Sequence, residues 1–150
     1  MTVETVFNWA VWAHLASTLF MVGVIWYVQL VHYPLMSAVD PQDFRGFHRQ
    51  HTRRTGWVVI PPMVLELATA IALVAPGIPS VPSRLGMPGL AILALVWVST
   101  FGVQVPLHRR LAGGYDAGVH RQLVRTNWLR TAAWSVRGAL AAAIALMAGR

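Results

Sequence analysis

Between Trp9 and Val31 the chain carries no charged residue at all. An α-helix needs about 20 mostly apolar residues to cross roughly 30 Å of hydrocarbon, and three further stretches also qualify. The expected spans are about 9–31, 56–76, 88–106 and 129–148. Polar interruptions are few: Pro61, Pro62 and Glu66 in the second span, Gln104 in the third and Arg137 in the fourth. Only 11% of the residues are charged, against about a quarter in an ordinary soluble domain. The sequence therefore predicts an all-α, four-transmembrane-helix bundle forming a single integral membrane domain, with no internal repeat and no linker.

The net charge of +7 would by itself suggest a polyanionic partner. Its distribution excludes nucleic acid, because the arginines alternate with apolar runs instead of coating a polar surface. Arg45, Arg49, Arg53, Arg54, Arg109, Arg110, Arg121, Arg125 and Arg130 fall in or beside two of the connections. Only Arg84 and Arg150 fall on the opposite side. The positive-inside rule then predicts an up-down-up-down bundle with both termini outside. A bacterial cytoplasmic (inner) membrane is the expected location, with the lipid bilayer as the first partner. The first span is too long for a signal h-region and has Glu4 rather than basic residues ahead of it, so it is expected to remain as a helix.

The connections are expected to differ. Pro41-Gln42-Asp43 reads as a helix start leading into the second span, and Gly113-Gly114 as a break before a helix that runs from Tyr115 into the fourth. With Pro76, Pro79, Pro82 and Pro88, the stretch 76–88 reads as an irregular loop.

There is no Cys, so any metal chemistry rests on histidine. His32, His48, His51, His108 and His120 all fall at the Arg-rich end of the spans, with Gln29, Gln104 and Asn127 at a similar depth. Gln29 and His32, His48 and His51, and Gln104 and His108 are spaced to share helix faces, as are His120 and Asn127. Four-helix bundles build metal and cofactor sites from such side chains. Imidazole suits iron, copper and zinc and also ligates haem. His32, His48, His51 and His108 are the candidate metal ligands. Gln29, Glu66, Gln104, His120, Asn127 and Arg137 are candidates for the surrounding shell or for substrate. A quinone or other small hydrophobic substrate pocket, and a plain polar interface, are the competing readings. His14 lies far from this group and reads as a packed histidine bonded to a neighbouring helix.

Glu66 and Arg137 lie at matching depths, roughly 15 Å in from the Arg-rich side at 1.5 Å per residue. Charges in mid-bilayer are expensive and normally pair, so an ion pair is expected, either structural or part of a proton-coupled transport path. Pro61, Pro62 and Pro106 free backbone carbonyls close to these polar residues, which points to a cavity opening toward the Arg-rich end. Gly138 and Ala142 give small-residue spacing suited to bundle packing or to a homo-oligomer. Three functional classes remain: a redox or oxygenase-type membrane protein, a small transporter, and a non-catalytic subunit.

The segments Gln29-Leu30-Val31-His32-Tyr33-Pro34, Met63-Val64-Leu65-Glu66, Gln104-Val105-Pro106-Leu107-His108 and Asn127-Trp128-Leu129-Arg130-Thr131 resemble those of a bacterial family of small four-span membrane proteins without an assigned activity. The architecture is also distantly similar to anthrone-oxygenase-like membrane proteins. That likeness implies oxidative chemistry and carries over no catalytic residue.

Overall fold

A computed structural model describes residues 2–75, 81 and 83–149. Arg150 and the connection at 76–80 and 82 lie outside the described residues. The described chain is helical, with four helices long and apolar enough to cross a membrane: α1 (Val3–Met36), α2 (Phe44–Ala72), α3 (Arg84–Leu111) and α4 (Ala117–Ala148).

The helix ends follow from local chemistry. Thr2 caps α1 by accepting the Thr5 N–H, and Asp116 caps α4 by accepting the Val119 N–H at 2.9 Å. α3 ends at the expected glycine break, where Gly114 takes a positive φ of 138° that strains any residue with a Cβ. One expectation fails here. The second half of the stretch read as loop is helical, and Gly86 and Pro88 belong to α3. Pro88 lies four residues beyond Arg84, so its missing N–H leaves the Arg84 carbonyl without its usual intrahelical donor.

The packing is layered along the bundle axis. Val11 of α1, Leu73 just past the end of α2 and Ile144 of α4 cluster at one end. Val28, Phe44, Leu107 and Leu123 cluster at the other. The helices therefore alternate in direction, and the ends of α1 and α4 nearest the termini share one end of the bundle. The outer surface is apolar, with Trp9, Trp12, Tyr27, Trp57 and Trp128 exposed. The interior holds many of the polar side chains. That inversion is what lipid as solvent demands.

Two helices carry one widened turn each. Val28–His32 and Thr100–Gln104 are π-helical, closed by Tyr33 N–H to Val28 O and by Val105 N–H to Thr100 O. Each is followed after one residue by a proline, Pro34 or Pro106, whose ring would otherwise press on the carbonyl four residues back. These turns reveal an internal repeat, contrary to expectation. At one fixed offset, Val28–His32 matches Thr100–Gln104, Pro34-Leu35 matches Pro106-Leu107, and Gly46-Phe47-His48-Arg49-Gln50 matches Gly118-Val119-His120-Arg121-Gln122. By these marks α3 and α4 correspond to α1 and α2. The repeat is hard to see because apolar side chains exchange freely against lipid, leaving the backbone markers and short polar motifs in common.

The two seams between the copies are not alike. α1 and α4 pack closely, whereas α2 and α3 pack least of the neighbouring pairs. Gly138 sits in the closed seam, where an added Cβ would lie 3.1 Å from Val22 Cγ2. Its small size thus serves packing within the bundle.

Candidate functional site

The mid-membrane charges come together. Arg137 Nε donates to Glu66 Oε1 at 2.7 Å, with side chains only 2% and 0% exposed. Thr18 Oγ1 donates to the same oxygen at 3.0 Å, and Trp134 Nε1 donates to Oε2 at 3.1 Å. Arg137 also donates to the Gly89 carbonyl. His14 bonds Thr69 across helices at 3.0 Å, as expected of a packed histidine. Every carboxylate oxygen of Glu66 is satisfied, and the network ties all four helices together. Its chemistry is that of a lock.

The histidines gather at the other end. His48 of α2 and His108 of α3 are hydrogen-bonded, Nε2 to Nδ1 at 3.1 Å. His51 lies one turn further along α2, its ring centroid 5.7 Å from that of His108 and 6.3 Å from that of His48. Its Nδ1 is bonded to Thr55 Oγ1 at 3.0 Å, leaving Nε2 free. His108 Nε2 meets the Tyr33 hydroxyl at 3.1 Å. His32 stacks flat on His51 at 4.1 Å, and both also stack on Phe47. As arranged, no three His, Asp or Glu side chains among the described residues converge on a single metal position.

His120 stands apart. Its Nε2 bonds the Tyr33 carbonyl at 2.8 Å, tying α4 to the end of α1. His120 is the repeat partner of His48, and Met36 occupies the place equivalent to His108. The closed seam thus has one histidine bonded to backbone where the open seam has a histidine pair.

The spacing argument fails for Gln29 and His32. The π-turn adds a residue to the turn between them, so they face different neighbours. Gln29 turns to α4, accepting from Asn127 Nδ2 at 2.9 Å and donating to the Val124 carbonyl at 3.3 Å. His32 turns to α2. Gln104 donates to Thr126 at 3.0 Å.

A cavity of about 620 Å³ opens in the loose seam between α2 and α3. Met21, Ile25, Val59, Ile60, Met63 and Phe101 line its apolar length, and His48, His51, Gln104, His108 and Arg130 line its polar end. A second cavity of about 560 Å³, between α1 and α2, reaches His32 and His51 from the other side. Among the described residues five buried side-chain atoms lack a hydrogen-bond partner: His32 Nε2, His48 Nδ1, Trp97 Nε1, Gln104 Oε1 and Arg130 Nε. All but the first belong to residues lining the larger cavity. Buried polar atoms normally find partners, so four such atoms from α2, α3 and α4 around one cavity mark it as a binding site.

No family model, curated protein or solved structure matches the chain. The site therefore rests on its geometry.

Three residues of the site were not among the sequence candidates: Tyr33, Trp97 and Arg130. Arg130 was legible only as a topology signal. Its spacing from Asn127, Trp134 and Arg137 nevertheless puts it on the same inward stripe of α4, and that signal could have found it.

Proposed function

We propose that this multi-pass membrane protein takes a small hydrophobic molecule from the bilayer into the α2–α3 cavity. There His48 and His108 would hold a metal ion, which would supply redox or oxygenase-type chemistry toward the polar end of that molecule. The observation that carries the reading is the His48–His108 pair at the polar end of an otherwise apolar, laterally placed cavity. Nitrogens about 2.0–2.1 Å from one ion lie roughly 2.9–3.4 Å apart at coordination angles near 90–109°. The 3.1 Å separation fits that range. Iron or copper would supply the redox chemistry, and zinc would give Lewis-acid chemistry on the same ligands.

The surroundings suit such a pair. Tyr33 can accept from the His108 nitrogen that does not ligate, fixing the ring. His51, whose Nε2 is free, would join as a third ligand only if its ring moved toward the pair. Three imidazoles on one ion have ring centroids roughly 4.5–5.5 Å apart, slightly closer than the 5.3–6.3 Å seen among these rings. His32 supports His51 by stacking. An ion is favoured over a haem, because axial ligands on opposite faces of a haem cannot sit 3.1 Å apart. Gln104 Oε1 needs a donor and Arg130 Nε an acceptor, so the head of the substrate, with any bound water, must offer both. The Arg-rich end would face the bacterial cytoplasm.

Protein purified without added metal tests this by elemental analysis and an absorption spectrum. Iron, copper or zinc should co-purify and be lost from His48→Ala and His108→Ala. A folded wild-type protein free of all three would overturn the proposal, and one holding only zinc, which is redox-inert, would overturn its redox chemistry.

A further inference from the structure

The polar end of the cavity has a charge imbalance that the histidines do not explain. Arg130 is 8% exposed. Its Nη1 donates to Asn127 Oδ1 at 3.0 Å, its guanidinium lies 5.1 Å from the Trp134 ring centroid, and its Nε has no partner. None of these contacts is a counter-charge. The chain has five carboxylate side chains. Glu66 is committed to Arg137, and Glu4, Asp40, Asp43 and Asp116 are exposed. Among the described residues no acidic side chain lines the cavity, whereas Arg109 joins Arg130 on its wall. A buried guanidinium cannot shed its proton, so balance must come from outside the chain.

We infer that the molecule held between α2 and α3 is an amphipathic organic acid, its ionised oxygen paired with Arg130 and its apolar body lying along Met21, Ile25, Met63 and Phe101. Trp97 supplies a second orphaned donor to the same cavity. A cavity of about 620 Å³ matches one small ligand, which favours a single-chain acid over a two-chain anionic phospholipid. A neutral quinone or alcohol would satisfy the Nε hydrogen bond and leave the charge uncompensated. The inference deepens the proposed function by naming its substrate class. It rests on the cavity of that reading and not on its metal.

The test uses the full chain in zwitterionic nanodiscs, with tryptophan fluorescence quenched by brominated dodecanoic acid or brominated dodecanol, corrected for partitioning into protein-free discs. The acid should bind more tightly than the alcohol by on the order of tenfold to a hundredfold, the range of a charge-assisted hydrogen bond. Chelator-treated protein should keep that preference, so a missing metal would sink the proposed chemistry and leave this inference standing. Arg130→Lys should retain most of the preference, and Arg130→Gln should abolish it. Equal binding of acid and alcohol by wild type overturns the inference whether or not the variants fold. So does displacement of the acid by phosphatidylglycerol in the discs, which would assign Arg130 to a lipid headgroup.

Discussion

Removing the charge of Glu66 exposes how the bundle is held. Glu66→Gln keeps the shape of the side chain, but three donors converge on the carboxylate: Thr18 Oγ1, Trp134 Nε1 and Arg137 Nε. An amide can accept on one oxygen only, so at least one donor faces an NH₂ group and Arg137 loses its counter-charge. Breaking a buried pair from one side costs about 3–5 kcal/mol, a shift of about a hundredfold to several thousandfold in the folding equilibrium. Replacing both partners by methionine strands no charge and should cost less than the two single methionine substitutions together, with a coupling of about 2–3 kcal/mol. The assay is equilibrium unfolding in mixed micelles of dodecyl maltoside and dodecyl sulfate, followed by tryptophan emission, to which Trp134 contributes from inside the network. Additive single and double substitutions, or a Glu66→Gln protein within about 1 kcal/mol of wild type, would refute the lock. An uptake activity that depends on Glu66 while stability does not would favour the transport reading.

Other expectations follow from single contacts. His120→Ala should destabilise by about 1–3 kcal/mol, the cost of leaving a buried carbonyl unpaired, yet retain metal, whereas His48→Ala at the equivalent repeat position should lose it; thermal unfolding and elemental analysis on the same samples separate the two. Gly138→Val should cost about 1–3 kcal/mol through overpacking against Val22, read as a lowered unfolding midpoint. The Asp116 carboxyl is held below its usual value of 3.8 chiefly by the Val119 N–H. Its contribution to the start of α4 is therefore complete above that value and lost as pH falls through the lower folded-state value. Amide exchange at Val119 and His120, compared with amides in mid-α4, should show that fraying on acidification; unchanged relative protection would refute the cap.

The four helices were readable because lipid imposes a length and a polarity that leave few alternatives, and the Glu66–Arg137 pair because mid-bilayer charge is expensive. The gathering of His48, His51 and His108 could be anticipated from depth and alternation of the spans. Their relation to Gln29 could not, since a π-turn has no residue preference distinct enough to read and Pro34 alone fits an ordinary kink. The open seam was equally hidden. Met63 and Phe101 line a cavity, yet by composition they are indistinguishable from residues facing lipid. The repeat escaped for a related reason, since its markers are a backbone feature and one short motif.

The central claim is that His48 and His108 share a metal ion at the mouth of the α2–α3 cavity. X-ray absorption at the edge of the co-purified metal tests it most directly. The account predicts a first shell containing nitrogen at about 2.0–2.1 Å with the outer-shell pattern of imidazole, weakened or lost in His108→Ala. A metal bound without imidazole, or with an identical imidazole shell in His108→Ala, would contradict it.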